Sequence, residues 1–259
     1  MNIFKFLLYF ILSIFNKQKR YVILTPNLLY LSIKKILIYD KHSKSFFFQK
    51  IERYGDYITV QEIFFNNDYD LKKLNFSQDK NESNYKTKLI IDCGANIGCS
   101  SLFLHKNYPQ SFIISIEPEE KNFSLLKSNT REIQKIRLIN SAISCEEHFF
   151  GLKKSKDSRA HKVYDEKNQN ESNEKTFTVN NILKEYPENT FDYFLIKIDI
   201  EGFEKNTEWI DKFKVIIIEL HDWMMPFNNQ SLNFQKTILS SKKYKDIVVS
   251  GENLILINY

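Results

Sequence analysis

From residue 87 onward the chain alternates short apolar runs with stretches whose apolar residues recur every three or four positions. Residues 89–92, 112–117, 136–139, 193–200 and 215–220 predict strands; 100–106, 119–131, 179–186 and 231–241 predict helices. Two last apolar runs, 246–249 and 254–258, flank Gly251-Glu252-Asn253 and predict a closing hairpin. Strands that alternate with helices predict a doubly wound α/β sheet, mostly parallel, with an antiparallel C-terminal strand. Ahead of it, 21–24 and 46–48 predict short strands, and 60–65 an apolar lid or helix. Residues 77–86 form a polar linker, and 153–175, charged and rich in Asn and Ser, predict a mobile loop. The chain thus divides into an N-terminal segment 1–20, an N-terminal lid or extension 21–86, and a sheet domain 87–259.

The N-terminal segment is apolar from Ile3 to Phe15 except for Lys5 and Ser13, and Asn16-Lys17-Gln18-Lys19-Arg20 follows. As a helix its apolar part reaches about 20 Å, short of the roughly 30 Å hydrocarbon core. A secretory signal places its positive charges before the apolar part; here they come after it, with no small-residue cleavage site. Two readings remain: a helix packed on the domain, or peripheral contact of residues 1–20 with the cytoplasmic membrane face. The expected location is cytoplasmic, with or without that contact.

Charge adds little. Lys+Arg 37 against Asp+Glu 32 leaves +5 over 259 residues, which a solvated surface explains without a nucleic-acid partner. Three cysteines (Cys93, Cys99, Cys145) form neither a disulfide framework nor a zinc spacing, which fits a reducing compartment.

The chain has six glycines, and two stand in one turn, Asp92-Cys93-Gly94-Ala95-Asn96-Ile97-Gly98, between a strand and a helix. Such a turn lets backbone approach a nucleotide-like ligand, and the helix start offers free N–H groups. A dinucleotide turn uses G-x-G-x-x-G around a pyrophosphate. Here the spacing is G-x-x-x-G, and Asp92 would repel phosphate but attract an amine. S-adenosylmethionine carries an amine and a sulfonium and no phosphate. Glu117, ending the second strand, stands where a carboxylate accepts ribose hydroxyls. The turn and Glu117 together favour S-adenosylmethionine over a nicotinamide cofactor.

The fourth strand puts Phe194, Ile196, Ile198 and Ile200 on one face and Lys197, Asp199 and Glu201 on the other. Three charges on one face of a central strand cannot all lie under a helix, so the strand is expected to run out into a cleft before Gly202. The fifth strand likewise carries Glu219, with His221 after it. In the usual strand order Asp92, Asp199, Glu201, Glu219 and His221 meet at the switch point.

These residues identify a resemblance. Asp92–Gly98, Glu117-Pro118, Lys197-Ile198-Asp199-Ile200-Glu201-Gly202-Phe203-Glu204 and Ile217-Ile218-Glu219-Leu220-His221 resemble the FkbM-type S-adenosylmethionine-dependent methyltransferases. Ser141-Ala142-Ile143-Ser144 is similar to the family's segment near the adenine; Arg53-Tyr54-Gly55 and Gln61–Phe64 match its earlier region more loosely. The resemblance implies the class I, Rossmann-like fold and O-methylation of a hydroxyl on a sugar, glycan or related small molecule. It implies cofactor binding at Asp92, Gly94, Ala95, Asn96, Gly98, Glu117, Ser141 and Ala142.

Methyl transfer is an in-line attack by an acceptor oxygen on a sulfonium methyl, helped by a base within hydrogen-bond reach. His221, oriented by Glu219, and the pair Asp199 and Glu201 are the rival candidates. No metal ligand is assigned; Mg²⁺ on Asp199, Glu201 and acceptor hydroxyls is a disfavoured alternative. An RNA or protein methyltransferase, or a non-catalytic membrane-associated scaffold with this fold, are the alternative functions.

Overall fold

The computed structural model describes residues 16, 19–25, 34–66, 68–71, 86–144, 147, 150–153, 162–165, 176–199, 209–220, 232–241, 243, 244 and 246–258. The chain opens with three strands, β1 (Tyr21–Ile23), β2 (Lys35–Asp40) and β3 (Ser45–Lys50), in one antiparallel sheet. A helix, α1 (Tyr54–Val60), runs into a π-helical segment at Gln61–Asn66. The second sheet has seven strands: β4 (Thr87–Cys93), β5 (Phe112–Ile116), β6 (Ile136–Ile139), β9 (Phe191–Ile198), β10 (Val215–Glu219), β11 (Asp246–Ser250) and β12 (Asn253–Ile257). Between β6 and β9 a small hairpin pairs β7 (Phe150–Lys153) with β8 (Lys162–Asp165). The helices α2 (Cys99–Asn107), α3 (Glu120–Asn129), α4 (Val179–Glu185) and α5 (Leu232–Ser240) and a 3-10 turn at Ile210–Lys212 complete the described elements.

The strand order is β11-β12-β10-β9-β4-β5-β6. β6, β5, β4, β9 and β10 are parallel, and β12 runs opposite to them and to β11. This is the doubly wound class I order, with the switch point between β4 and β9. Gly251, at φ +62°, turns the two-residue hairpin between β11 and β12.

Alternation along the strands serves both faces. Ile90, Ile113, Phe194, Val215 and Ile217 pack with Leu102 and Phe103 of α2 and with Tyr21, Ile36 and Ile38 of the N-terminal sheet. Leu89, Ile91, Ile114, Ile196, Ile198, Ile216 and Ile218 pack on Val179, Ile182, Trp209, Phe213, Phe234 and Ile238. Each such side chain taken wholly from water contributes about 1.5–3 kcal/mol. Arg20 ties the small sheet to α2: it bonds both carboxylate oxygens of Asp40 at 2.8 Å and reaches the Asn107 side chain and Lys106 carbonyl.

Three expectations need correction. Phe194 does not share a face with Ile196 and Ile198: the register against β4 slips at Phe194, Leu89 pairing Tyr193 and Ile90 pairing Leu195, and Phe194 packs with Ile90 instead. β2 was not anticipated, because residues 35–40 carry apolar side chains on both faces. The stretch 153–175 is not loop throughout, since residues 162–165 pair with β7. Residues 200–208 and 221–231, which carry Glu201 and His221, lie outside the described residues. No described helix is long and apolar enough to cross a membrane.

Candidate functional site

The turn after β4 is built from left-handed residues: Gly94 at φ +78°, Asn96 at +49° and Gly98 at +87°. Asn is the side-chain residue that tolerates this region best. At Gly98 an added Cβ would lie 2.8 Å from Leu126 Cδ1 and 3.3 Å from its Cα, so this glycine also lets α3 pack closely. The amides of the turn are engaged internally. Gly94 N–H and Ala95 N–H donate to the Ile116 carbonyl (3.0 and 2.9 Å), Asn96 N–H to Glu117 Oε2 (2.9 Å) and Gly98 N–H to the Ala95 carbonyl (2.8 Å). None of these four is turned outward in the nest that a pyrophosphate requires.

Beneath the turn lies a buried polar layer. Asp92 is directly opposite Ser115 on β5 and Lys197 on β9. The Asp92 carboxylate is fully buried: Oδ2 accepts from Ser100 and Ser101 Oγ, each at 2.6 Å, and Oδ1 lies 3.4 Å from Lys197 Nζ with no hydrogen-bond donor on it. Lys197, 2% exposed, donates to the Gly94 carbonyl (2.8 Å) and to Asp199 Oδ2 (3.3 Å). Burial works against its ammonium, but Tyr69, Asp199 and Asp92 around it outweigh that and hold it protonated. Lys197 therefore pins the turn, the floor and the mouth of the cleft to one charge. The sequence pattern placed it in a motif without a role of its own. A lone lysine within Phe-Leu-Ile-Lys-Ile on a central strand was the available signal, because such a charge persists only when paired.

Glu117, at the end of β5, is also buried. Oε1 accepts from Glu119 N–H (2.9 Å) and Asn122 Nδ2 (3.4 Å), Oε2 from Asn96 N–H. Burial raises its pKa to about 7 against the lowering effect of those bonds. Asn122 is oriented in turn by Arg53, whose guanidinium donates to its Oδ1, while Arg53 N–H donates to Asp56 Oδ2 at 3.0 Å. Arg53 and Asn122 were not among the candidate site residues. Ser141 and Ala142 follow β6 beside Glu117, both buried; Ser141 Oγ donates to the Ala142 carbonyl and Asn140 Nδ2 to the Glu117 carbonyl.

At the mouth, Asp199 and Glu219 follow Ile198 and Ile218, which are paired across β9 and β10. Asp199 is anchored by its N–H to the Cys93 carbonyl (3.1 Å), and its side chain is 35% exposed. Glu219 is pushed up to about 8, by burial first and then by the nearby charges of Asp199 and Glu252 and its hydrogen bond with Asp199. Burial and the neighbouring acids thus favour the protonated form of Glu219 at neutral pH. Among the described residues no group of three His, Cys, Asp or Glu side chains gathers as a metal site.

The residues present fit S-adenosylmethionine. Glu117 Oε2, with one donor on it, has lone-pair capacity left for a ribose hydroxyl, and Asp92 Oδ1 is a buried carboxylate oxygen without a donor. The acids Asp92, Glu117, Asp199 and Glu219 suit a cationic ligand.

A model of the methyltransferase FkbM domain matches residues 92–245. The chain is 25% identical to Methyltransferase 1 of Beauveria bassiana (strain ARSEF 2860), a match covering 60% of this chain and 71% of that protein. A solved FkbM methyltransferase from Methylobacillus flagellatus KT is 15% identical, with a TM-score of 0.44 over 66% of this chain. The present chain spans 43% of that structure's length. Human methyltransferase 10 domain containing protein is 12% identical, with a TM-score of 0.42 over 78% of this chain and 82% of that one. With the family model matching residues 92–245, more than half of its length, the chain belongs to the FkbM methyltransferase family.

Proposed function

We propose that this methyltransferase uses S-adenosylmethionine to methylate a hydroxyl of a sugar, glycan or related small molecule. The observation that carries the reading is the turn: its Gly94, Ala95, Asn96 and Gly98 amides are engaged within the protein, and the acids Asp92 and Glu117 stand at its two ends with one cation, Lys197, between Asp92 and Asp199. That combination disfavours a pyrophosphate and suits a cationic ligand that is held by its amine and ribose. When bound, the cofactor supplies an electrophilic methyl on sulfur. Glu117, held by two backbone amides and Asn122, accepts the ribose hydroxyls. Lys197 fixes the Gly94 carbonyl and so the height of the turn. Asp199 and Glu219 sit at the mouth, where an acceptor hydroxyl would enter, and the pair takes its proton as the oxygen attacks. His221 remains the rival base from the sequence.

The test is transfer of labelled methyl from S-adenosylmethionine to a panel of free and lipid-linked sugars, followed by mass analysis of the product. A gain of one methyl on oxygen, formed more slowly by Asp199→Asn, is the expected result. Transfer to RNA or protein with none to sugars would replace the acceptor class. Binding of the cofactor without transfer to any acceptor would favour a non-catalytic scaffold.

A further inference from the structure

The three-stranded N-terminal sheet is apolar on both faces; on the outer one Val22 of β1, opposite Tyr39, is fully buried, whereas the Phe46 and Phe48 side stands exposed. Ile36, Ile38, Phe47 and Gln49 point inward, against Tyr21, Phe64 and α2. The outer face pairs Lys35 with Lys50, Leu37 with Phe48 and Tyr39 with Phe46. Directly opposed residues share a face, so these six form one surface. Phe46 is 62% and Phe48 60% exposed, and Tyr39 rests on Phe46 with ring centroids 4.8 Å apart. An antiparallel sheet ordinarily turns a polar face to water. Here the middle of that face is aromatic and aliphatic.

Within the β2–β3 hairpin the exposed charges have one sign. Between residues 34 and 50 the chain has lysines at 34, 35, 41, 44 and 50 and a single acid, Asp40. Asp40 is fully buried on the inner side and neutralised by Arg20. Lys34, Lys35 and Lys44 are exposed, and Lys44 stands in the turn next to Phe46. At that same turn, Lys41 Nζ donates to the carbonyl of Asn16 at 2.8 Å, the residue at which the apolar stretch 3–15 ends.

We propose that this face is a docking surface for an anionic phospholipid bilayer. Phe46 and Phe48 enter the headgroup region, and Lys35, Lys44 and Lys50 lie at the level of the lipid phosphates. Phenylalanines give the surface a water-avoiding centre without hydrogen-bonding function, and lysines draw it to negative headgroups within about 10 Å at ordinary salt. A nucleic acid fits less well, because its binding surfaces use arginine forks and ring faces spaced for bases; here leucine and tyrosine fill the gaps. This inference does not depend on which acceptor the enzyme methylates.

The experiment is co-sedimentation of the full chain with vesicles of phosphatidylcholine alone and of phosphatidylcholine with one quarter phosphatidylglycerol, at 0.1 and 0.5 M salt. The variants are Phe46→Ser/Phe48→Ser and Lys35→Gln/Lys44→Gln, all at exposed positions, with thermal melting as the check on folding. Binding is expected to favour the anionic vesicles, to weaken at high salt, and to fall about tenfold or more in the phenylalanine variant. The lysine variant should lose most of the preference for anionic lipid. Wild-type binding by both variants would overturn the proposal. So would a phenylalanine variant that changes only the oligomeric state in light scattering, or only the binding of a single-stranded RNA oligomer.

Discussion

Glu117 and Glu219 end two strands of the same sheet, and both are held above the usual carboxyl range, for different reasons. Around Glu117, burial acts alone and three hydrogen-bond donors oppose it, leaving a group at about 7 in one fixed position. Around Glu219, burial is joined by the charges of Asp199 and Glu252, and the result is about 8 beside a partly exposed partner. Donors that come from backbone and amide groups hold an acceptor in place. A second acid instead makes a proton easy to gain and lose. The cleft therefore has a holding side and a proton-exchanging side, and Lys197 lies between them.

The largest effect is expected where both sides are cut from their common support. Lys197→Met leaves Asp92 buried without its counter-charge and the Gly94 carbonyl without its donor. About 3–5 kcal/mol of destabilisation should follow, read by chemical denaturation. Next, Glu117→Ala should weaken S-adenosylhomocysteine binding by roughly ten- to a hundredfold, the effect of about 1.5–3 kcal/mol of charged hydrogen bonding. Glu117→Gln, with one acceptor oxygen left, should lose less.

These predictions rest partly on what the chain already shows and partly on what it hides. The turn 92–98, the alternation of β9 from Ile196 on and the two-residue hairpin at Gly251 are local: spacing and φ requirements write them into neighbouring residues. The strand order around Asp92 follows from chirality once those elements are placed. Lys197 is different. Its partners, Gly94, Asp92, Asp199 and Tyr69, come together only through the fold, so the residues near position 197 show that it must be paired but not with what. β2 was hidden because Ile36-Leu37-Ile38-Tyr39 is continuous rather than alternating, and its outer face is itself unusual. Arg53 acts on Glu117 through Asn122, a path across three elements. The roles of Glu201 and His221 fall outside the described residues.

On the proton-exchanging side the effects are smaller and take the form of pH profiles. If the pair is the base, the rate of methyl transfer should rise with pH to a midpoint near 8, where Glu219 ionises. Asp199→Asn removes the repelling charge, so that midpoint should move down while the rate falls. A midpoint near 6.5 that disappears in His221→Ala would assign the base to the histidine instead.

The smallest effect is on stability. Glu219 binds its proton more tightly in the fold than in the unfolded chain, so its contribution is complete below the ordinary glutamate pKa. It is lost as pH rises through about 8. Glu219→Gln should flatten that part of the curve, raising the melting temperature relative to wild type at pH 9 and not at pH 5.

The division of the cleft is tested most directly by titrating S-adenosylhomocysteine and NAD into the wild type, Glu117→Ala and Glu219→Gln. The account predicts that S-adenosylhomocysteine binds the wild type and Glu219→Gln alike, that Glu117→Ala loses most of that binding, and that NAD binds none of them. Equal loss in the two variants, or NAD binding that depends on Glu117, would contradict it.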